Sequence, residues 1–79
     1  MKQIVDGLLY DTDKATSIFE DTRNPRKPRE YFQTDKGTYF CWYKLVGEIH
    51  VVDESYVRDL LARCNPDKYV ALFGAVEEG

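Results

Sequence analysis

The sequence predicts an α+β domain: an antiparallel sheet of four or five strands, with a short helix after the first hairpin and two C-terminal helices packed on one face. Three observations predict it. Turn signals containing glycine recur at Asp6-Gly7, Asp35-Lys36-Gly37 and Val46-Gly47, each between short apolar or aromatic runs. The stretch TYFCWYKL, residues 38–45, is rich in β-branched and aromatic residues. From Asp53 onward the apolar residues change to helical spacing, with an Asn-Pro helix start near the end. At 79 residues the chain has the length of one domain, and it contains no repeats or low-complexity runs.

Each element has its own local reason. Ile4-Val5 and Leu8–Tyr10 flank Asp6-Gly7, a pair suited to a type I′ turn, where both central residues need positive φ. Thr12 then offers an N-cap with Asp13 in a first turn, and Ala15, Ile18 and Phe19 fall at i, i+3 and i+4, which predicts a short helix over 14–20. Asp21 to Arg29 is a breaker segment, because Asn24-Pro25 and Lys27-Pro28 favour extended backbone and remove two N–H donors. Residues 30–34 and 38–45 form a hairpin closed by a three-residue loop with Gly37 at its left-handed position. Alternation along the second strand places Tyr39, Cys41, Tyr43 and Leu45 on one face and Phe40, Trp42 and Lys44 on the other. After Val46-Gly47, residues 48–52 make the next strand. Asp53 N-caps a helix whose inner stripe is Tyr56, Val57, Leu60, Leu61 and Cys64. Asn65-Pro66 starts a second helix with Tyr69, Val70 and Phe73 inward and Gly74 at its end.

Composition narrows the function classes. Hydrophobic residues make up 43% and charged residues 32%, the balance of a globular chain, and six Tyr, four Phe and one Trp supply large buried area for so small a core. No stretch approaches the ~18 apolar residues of a membrane span, and MKQIVDGLLY lacks the apolar core of a signal peptide. Cys41 and Cys64 stand far apart without a CxxC motif, so the expectation is two reduced core thiols in a cytoplasmic protein.

Charge is distributed unevenly. RNPRKPR, residues 23–29, holds Arg23, Arg26, Lys27 and Arg29; the rest of the chain has 7 basic against 14 acidic residues, and the net charge is −3. Whole-surface nucleic-acid binding is therefore disfavoured, while contact through that one loop is open. The loop reads as a solvated segment, as a contact for an acidic protein surface, or as a grip for phosphates, which Arg forks match well. Its prolines pre-order it and lower the entropy cost of binding. Asp53, Glu54, Asp59, Asp67, Glu77 and Glu78 gather in the C-terminal part, either as a solvated helical face or as a surface for a basic partner.

No catalytic, cofactor or metal signature emerges. His50, the single histidine, has no motif spacing to Cys41 or Cys64, and its place on a strand reads as structural rather than catalytic or metal-binding. The carboxylate pairs Asp11/Asp13 and Asp53/Glu54 sit where helix N-termini favour negative charge. Neither a phosphate-binding glycine loop nor a Ser-His-Asp arrangement is present. Phe40 and Trp42, with Lys44 beside them, are candidates for stacking on single-stranded bases, or alternatively are core under a helix or loop, which is the favoured reading.

IVDGLLYDTDKAT, residues 4–16, resembles the opening of a group of small bacterial and phage proteins: an apolar pair, a turn Gly, Tyr-Asp-Thr and an Ala soon after. YFQTDKGTYF, residues 31–40, is similar to their second hairpin, and Tyr69 to Gly74 to their closing aromatic-Gly pair. The likeness covers about a third of the chain and departs from the group's pattern at residues 48–57, where IHVVDESYV replaces a Pro-Leu-Ser start to an acidic helix. It implies a shared fold more than a shared activity, since that group has no assigned enzymatic function and often rides on mobile elements. Small acidic α+β proteins of phages and mobile elements often act as stoichiometric inhibitors of host defence, as anti-CRISPR proteins do. The expectation is thus a non-enzymatic protein-binding inhibitor of a host nucleic-acid-handling complex, with no cofactor. The alternative is a nucleic-acid-binding accessory protein using loop 23–29.

Overall fold

The computed structural model describes residues 1–79. Six strands precede two helices: β1 (Lys2–Val5), β2 (Leu8–Asp11), β3 (Thr16–Asp21), β4 (Arg29–Gln33), β5 (Tyr39–Tyr43), β6 (Glu48–Val52), α1 (Glu54–Cys64) and α2 (Pro66–Phe73). The architecture is α+β, but the strands form two antiparallel sheets rather than one: a β1-β2 ribbon and a four-stranded sheet in the order β3-β4-β5-β6. Every connection within the larger sheet links neighbours in space, so each strand is placed by its local turn.

The turns follow their residues. Asp6 and Gly7 have φ of 52° and 79°, the left-handed pair required by a two-residue hairpin. At the β4–β5 turn the Thr34 N–H bonds the Thr38 carbonyl at 2.9 Å, the Gly37 N–H bonds the Thr34 carbonyl at 2.9 Å, and Gly37 has φ 89°.

The predicted helix over 14–20 is instead the strand β3. Thr12 caps no helix; its N–H bonds the Met1 carbonyl at 2.9 Å and its hydroxyl accepts from the Met1 ammonium at 3.1 Å. One turn, closed by Lys14 and Ala15 N–H groups on the Asp11 carbonyl, leads into β3. The register of β3 on β4 shifts between Ser17 and Phe19, so Ile18 sits in a bulge. That extra residue lets Ile18 and its neighbour Phe19 both reach the helix-side core. A bulge of this kind imitates part of a helical pattern, because adjacent residues in a regular strand never share a face.

The larger sheet buries both faces. On one, α1 covers Tyr31, Tyr39 and Cys41 through Val57, Leu60 and Leu61, and α2 packs beside them. The helix stripe is as expected except at its edges. Val70 points outward, while Leu72 packs inward beside Tyr69 and Phe73. Tyr56 lies at the rim, its hydroxyl 3.4 Å from that of Tyr31. Asp53 holds the N-cap position through its backbone alone, whereas the Asn65 side chain accepts from the Lys68 N–H at 3.2 Å. On the other face the β1-β2 ribbon covers Phe32, Phe40 and Ile49 with Tyr10 and Val5. The Phe40 ring is stacked on Phe32 at 5.2 Å and meets the Tyr10 edge at 5.3 Å. The ribbon is tied to the sheet edge by the Ile49 N–H, which donates to Gln3 Oε1 at 2.6 Å.

Candidate functional site

The basic segment is held by one buried carboxylate. Asp21, at the end of β3, is 2% exposed. It accepts two bonds from the Arg23 guanidinium, Nε to Oδ1 at 3.0 Å and Nη2 to Oδ2 at 2.9 Å, and one from the Arg23 N–H. Arg29 Nε lies 3.5 Å from the same carboxylate, an ion pair without hydrogen-bond alignment. The bonds from Arg23 hold the Asp21 carboxyl below its usual range. Arg29 also lies over the Tyr43 ring at 5.7 Å. Two of the four basic side chains therefore anchor the loop to the sheet and are not free for a ligand.

Arg26 and Lys27 remain. Asn24 shapes their turn: its side-chain Oδ1 accepts the Arg26 N–H at 3.0 Å, and its carbonyl accepts the Lys27 N–H at 3.0 Å. Neither cation forms an ion pair. They border an open groove of about 250 Å³, whose opposite side is formed by Leu45 and Val46 in the β5–β6 turn. These two aliphatic side chains are 71% and 67% exposed. Alternation along the strand predicts Leu45 on the face of Tyr39, Cys41 and Tyr43; it stands instead in the turn, because β5 ends at Tyr43 and the Gly47 N–H closes on the Tyr43 carbonyl at 2.9 Å. The groove walls are joined, since the Lys44 N–H donates to the Pro28 carbonyl at 3.1 Å. Beneath them the His50 ring stands edge-on to Tyr43 at 4.9 Å, with His50 Nε2 3.0 Å from Glu48 Oε2.

The acidic residues are separate from this groove. Tyr39 and Tyr43 close opposite ends of β5. Tyr43 borders the groove, whereas Val52, paired with Tyr39, leads directly into Asp53 and Glu54. Phe73 packs on Tyr39 at 6.3 Å, so the tail carrying Glu77 and Glu78 also departs from that far end. Asp59 and Asp67 are exposed on α1 and in the first turn of α2. The six carboxylates do not form an unbroken face: Glu54 pairs with Arg58 at 3.4 Å, and Arg63 and Lys68 interleave with the others. Arg58 itself lies over the Phe73 ring at 4.3 Å.

The other candidates find structural places. Phe40 has no exposed surface, and Trp42 is half-buried on the same core with Lys44 Nζ 5.6 Å from its ring. The two do not make an open stacking platform. Lys44 is engaged by Glu20 and Glu30 at 3.4 and 3.5 Å. Cys41 is buried and unpaired to Cys64, and burial pushes its thiol up to about 11. Cys41 and His50 are register partners, yet no group of three or more His, Cys, Asp and Glu side chains is placed to hold a metal ion. Asp11 serves the turn after β2, accepting the Asp13 N–H at 2.9 Å. No helix is long and apolar enough to cross a membrane.

No family model, curated protein or solved structure matches the chain. The groove thus rests on its own geometry. Its apolar half was hidden because large aliphatics before a turn glycine read as the end of a strand.

Proposed function

We propose that this protein is a non-enzymatic binding module that acts by stoichiometric contact with a protein partner. In its most concrete form it is a phage or mobile-element inhibitor, anti-CRISPR-like in manner, of a host nucleic-acid-handling complex in the cytoplasm. The observation that carries the reading is the pairing of free Arg26 and Lys27 with exposed Leu45 and Val46 across one buttressed groove. Apolar surface with a charged rim, held in place before binding, is the anatomy of a protein contact. The carboxylates at the other end of β5 supply an opposite charge for a second part of the same assembly.

The test is affinity capture from host lysate with and without nuclease, followed by size-exclusion chromatography of the captured species. The expected result is a discrete complex of fixed stoichiometry that survives nuclease. Loss of all partners on nuclease treatment would refute it.

A second reading, a nucleic-acid-binding accessory role, is favoured by the same two free cations. Arg23 and Arg29 are committed to Asp21, so it rests on Arg26 and Lys27 alone. Two phosphate contacts would give a shallow salt slope of roughly −1.4 to −1.8 in log K against log salt.

A further inference from the structure

We infer that the groove between the loop carrying Arg26 and Lys27 and the β5–β6 turn receives an acidic polypeptide segment in which a carboxylate lies next to an aliphatic or aromatic side chain. This deepens the proposed function and rests on it. Charge complementarity sets the first half of the ligand. Of the basic side chains in 23–29, Arg23 and Arg29 share the single negative charge of Asp21, which leaves Arg26 and Lys27 as the cations of the site with no ion-pair partner. Glu48, the one carboxylate among the lining residues, is hydrogen-bonded to His50 at 3.0 Å and offsets only one of these two positive charges. The groove therefore presents uncompensated positive charge on a chain whose net charge is −3. The second groove, beside Leu8 and Leu9, sets Asp11 and Asp35 against Lys14 and Lys36, so a segment carrying Asp or Glu is drawn more strongly to the rim at Arg26 and Lys27.

The facing wall sets the second half. Leu45 and Val46 are more exposed than the other adjacent aliphatic pair, Leu8 and Leu9, and Pro28 continues that apolar surface along the loop. A volume of about 250 Å³ suits one or two side chains rather than a folded domain edge. Polypeptide is favoured over nucleic acid because the two rings in the groove, Tyr43 and His50, make no common stacking platform. They stand nearly perpendicular, at 82°, and the Arg29 guanidinium lies over Tyr43, so successive bases find no parallel faces to stack on. The Lys44–Pro28 backbone bond and the Asn24 turn fix both walls beforehand, so little loop ordering opposes binding.

Selection of displayed random 12-residue peptides on the immobilised full chain tests this, with the Arg26→Glu/Lys27→Glu double variant as counter-target. Arg26 and Lys27 are exposed and make no side-chain bond, so the variant folds. The expected result is enrichment of peptides with Asp or Glu adjacent to Leu, Ile, Phe or Tyr. Their synthetic versions should bind at 1:1 and weaken by about tenfold or more on the double variant. They should also weaken by a few-fold, roughly threefold, on Val46→Ser. Enrichment without carboxylates, or binding unchanged by both variants, overturns the inference. So does tighter binding of a dT12 oligonucleotide that competes with the peptides. If lysate capture yields a nuclease-resistant stoichiometric complex that both variants leave intact, the binding-module reading stands and this assignment of its ligand fails.

Discussion

Replacing Asp21 by Asn should detach the basic loop from the sheet and destabilise the whole domain. Asp21 is the shared counter-ion of Arg23 and Arg29, and its side chain is only 3% exposed against 54% and 25% for the two arginines. Breaking a buried ion pair by removing one partner costs about 3–5 kcal/mol. Here Arg23 can turn to water, so the cost comes chiefly from leaving Arg29 half-buried without its carboxylate, and about 2–3 kcal/mol is expected. A domain of this size shifts its Tm by about 4–8 °C per kcal/mol, so a fall of roughly 10–20 °C should accompany it. Urea unfolding followed by Trp42 fluorescence and circular dichroism measures the change. The same substitution should flatten the acid limb of stability. The folded-state pKa of Asp21 is depressed below its ordinary value of 3.8, with the Arg23 side-chain bonds as the leading cause. The stability it contributes is complete above that value and is lost as pH falls through the lower folded pKa. A change below about 0.5 kcal/mol, the size expected of an ordinary surface substitution, would refute the anchoring role of Asp21.

Other outcomes follow from the core and the groove. Phe40→Ala removes a side chain with no exposed surface at the junction of ribbon and sheet, and should cost about 3–5 kcal/mol, enough to leave much of the protein unfolded in thermal denaturation. Cys41, its thiol pushed up to about 11 by burial, should resist a thiol reagent at pH ~8 until the protein unfolds, so its labelling should track the unfolding transition. Gly7→Ala places a Cβ at φ +79° in the first turn and should destabilise the ribbon by about 1 kcal/mol, read as faster amide exchange in β1 and β2. Arg26→Glu/Lys27→Glu should leave the unfolding free energy from urea titration within about 0.5 kcal/mol of the parent while abolishing partner capture.

Much of this fold was decided by short-range chemistry and was legible in the chain. Asp6-Gly7, Gly37 and Gly47 adopt the positive φ their hairpins need, and the positions of those turns determine which strands neighbour one another. The helices after Asp53 and Asn65 begin and end where caps, proline and glycine place them. The burial of Phe40 could be expected from a strand with aromatics on both sides, though not that a separate β1-β2 ribbon would cover it. Three things were settled only by tertiary contact. Residues 14–20 carry a spacing compatible with a helix, yet 16–21 satisfy their backbone by pairing with β4, and the bulge at Ile18 makes Ile18 and Phe19 adjacent core residues. Asp21 and the arginines are close in sequence, but whether a carboxylate neutralises Arg29 depends on β3 and β4 lying side by side with Asp21 opposite Arg29. The groove likewise needs Pro28 and Lys44, sixteen positions apart in numbering, to share a backbone bond. Turns and caps are local free-energy minima that a sequence displays directly. Which charges survive unpaired, and which aliphatic side chains stay in water, depends on what the rest of the chain brings against them.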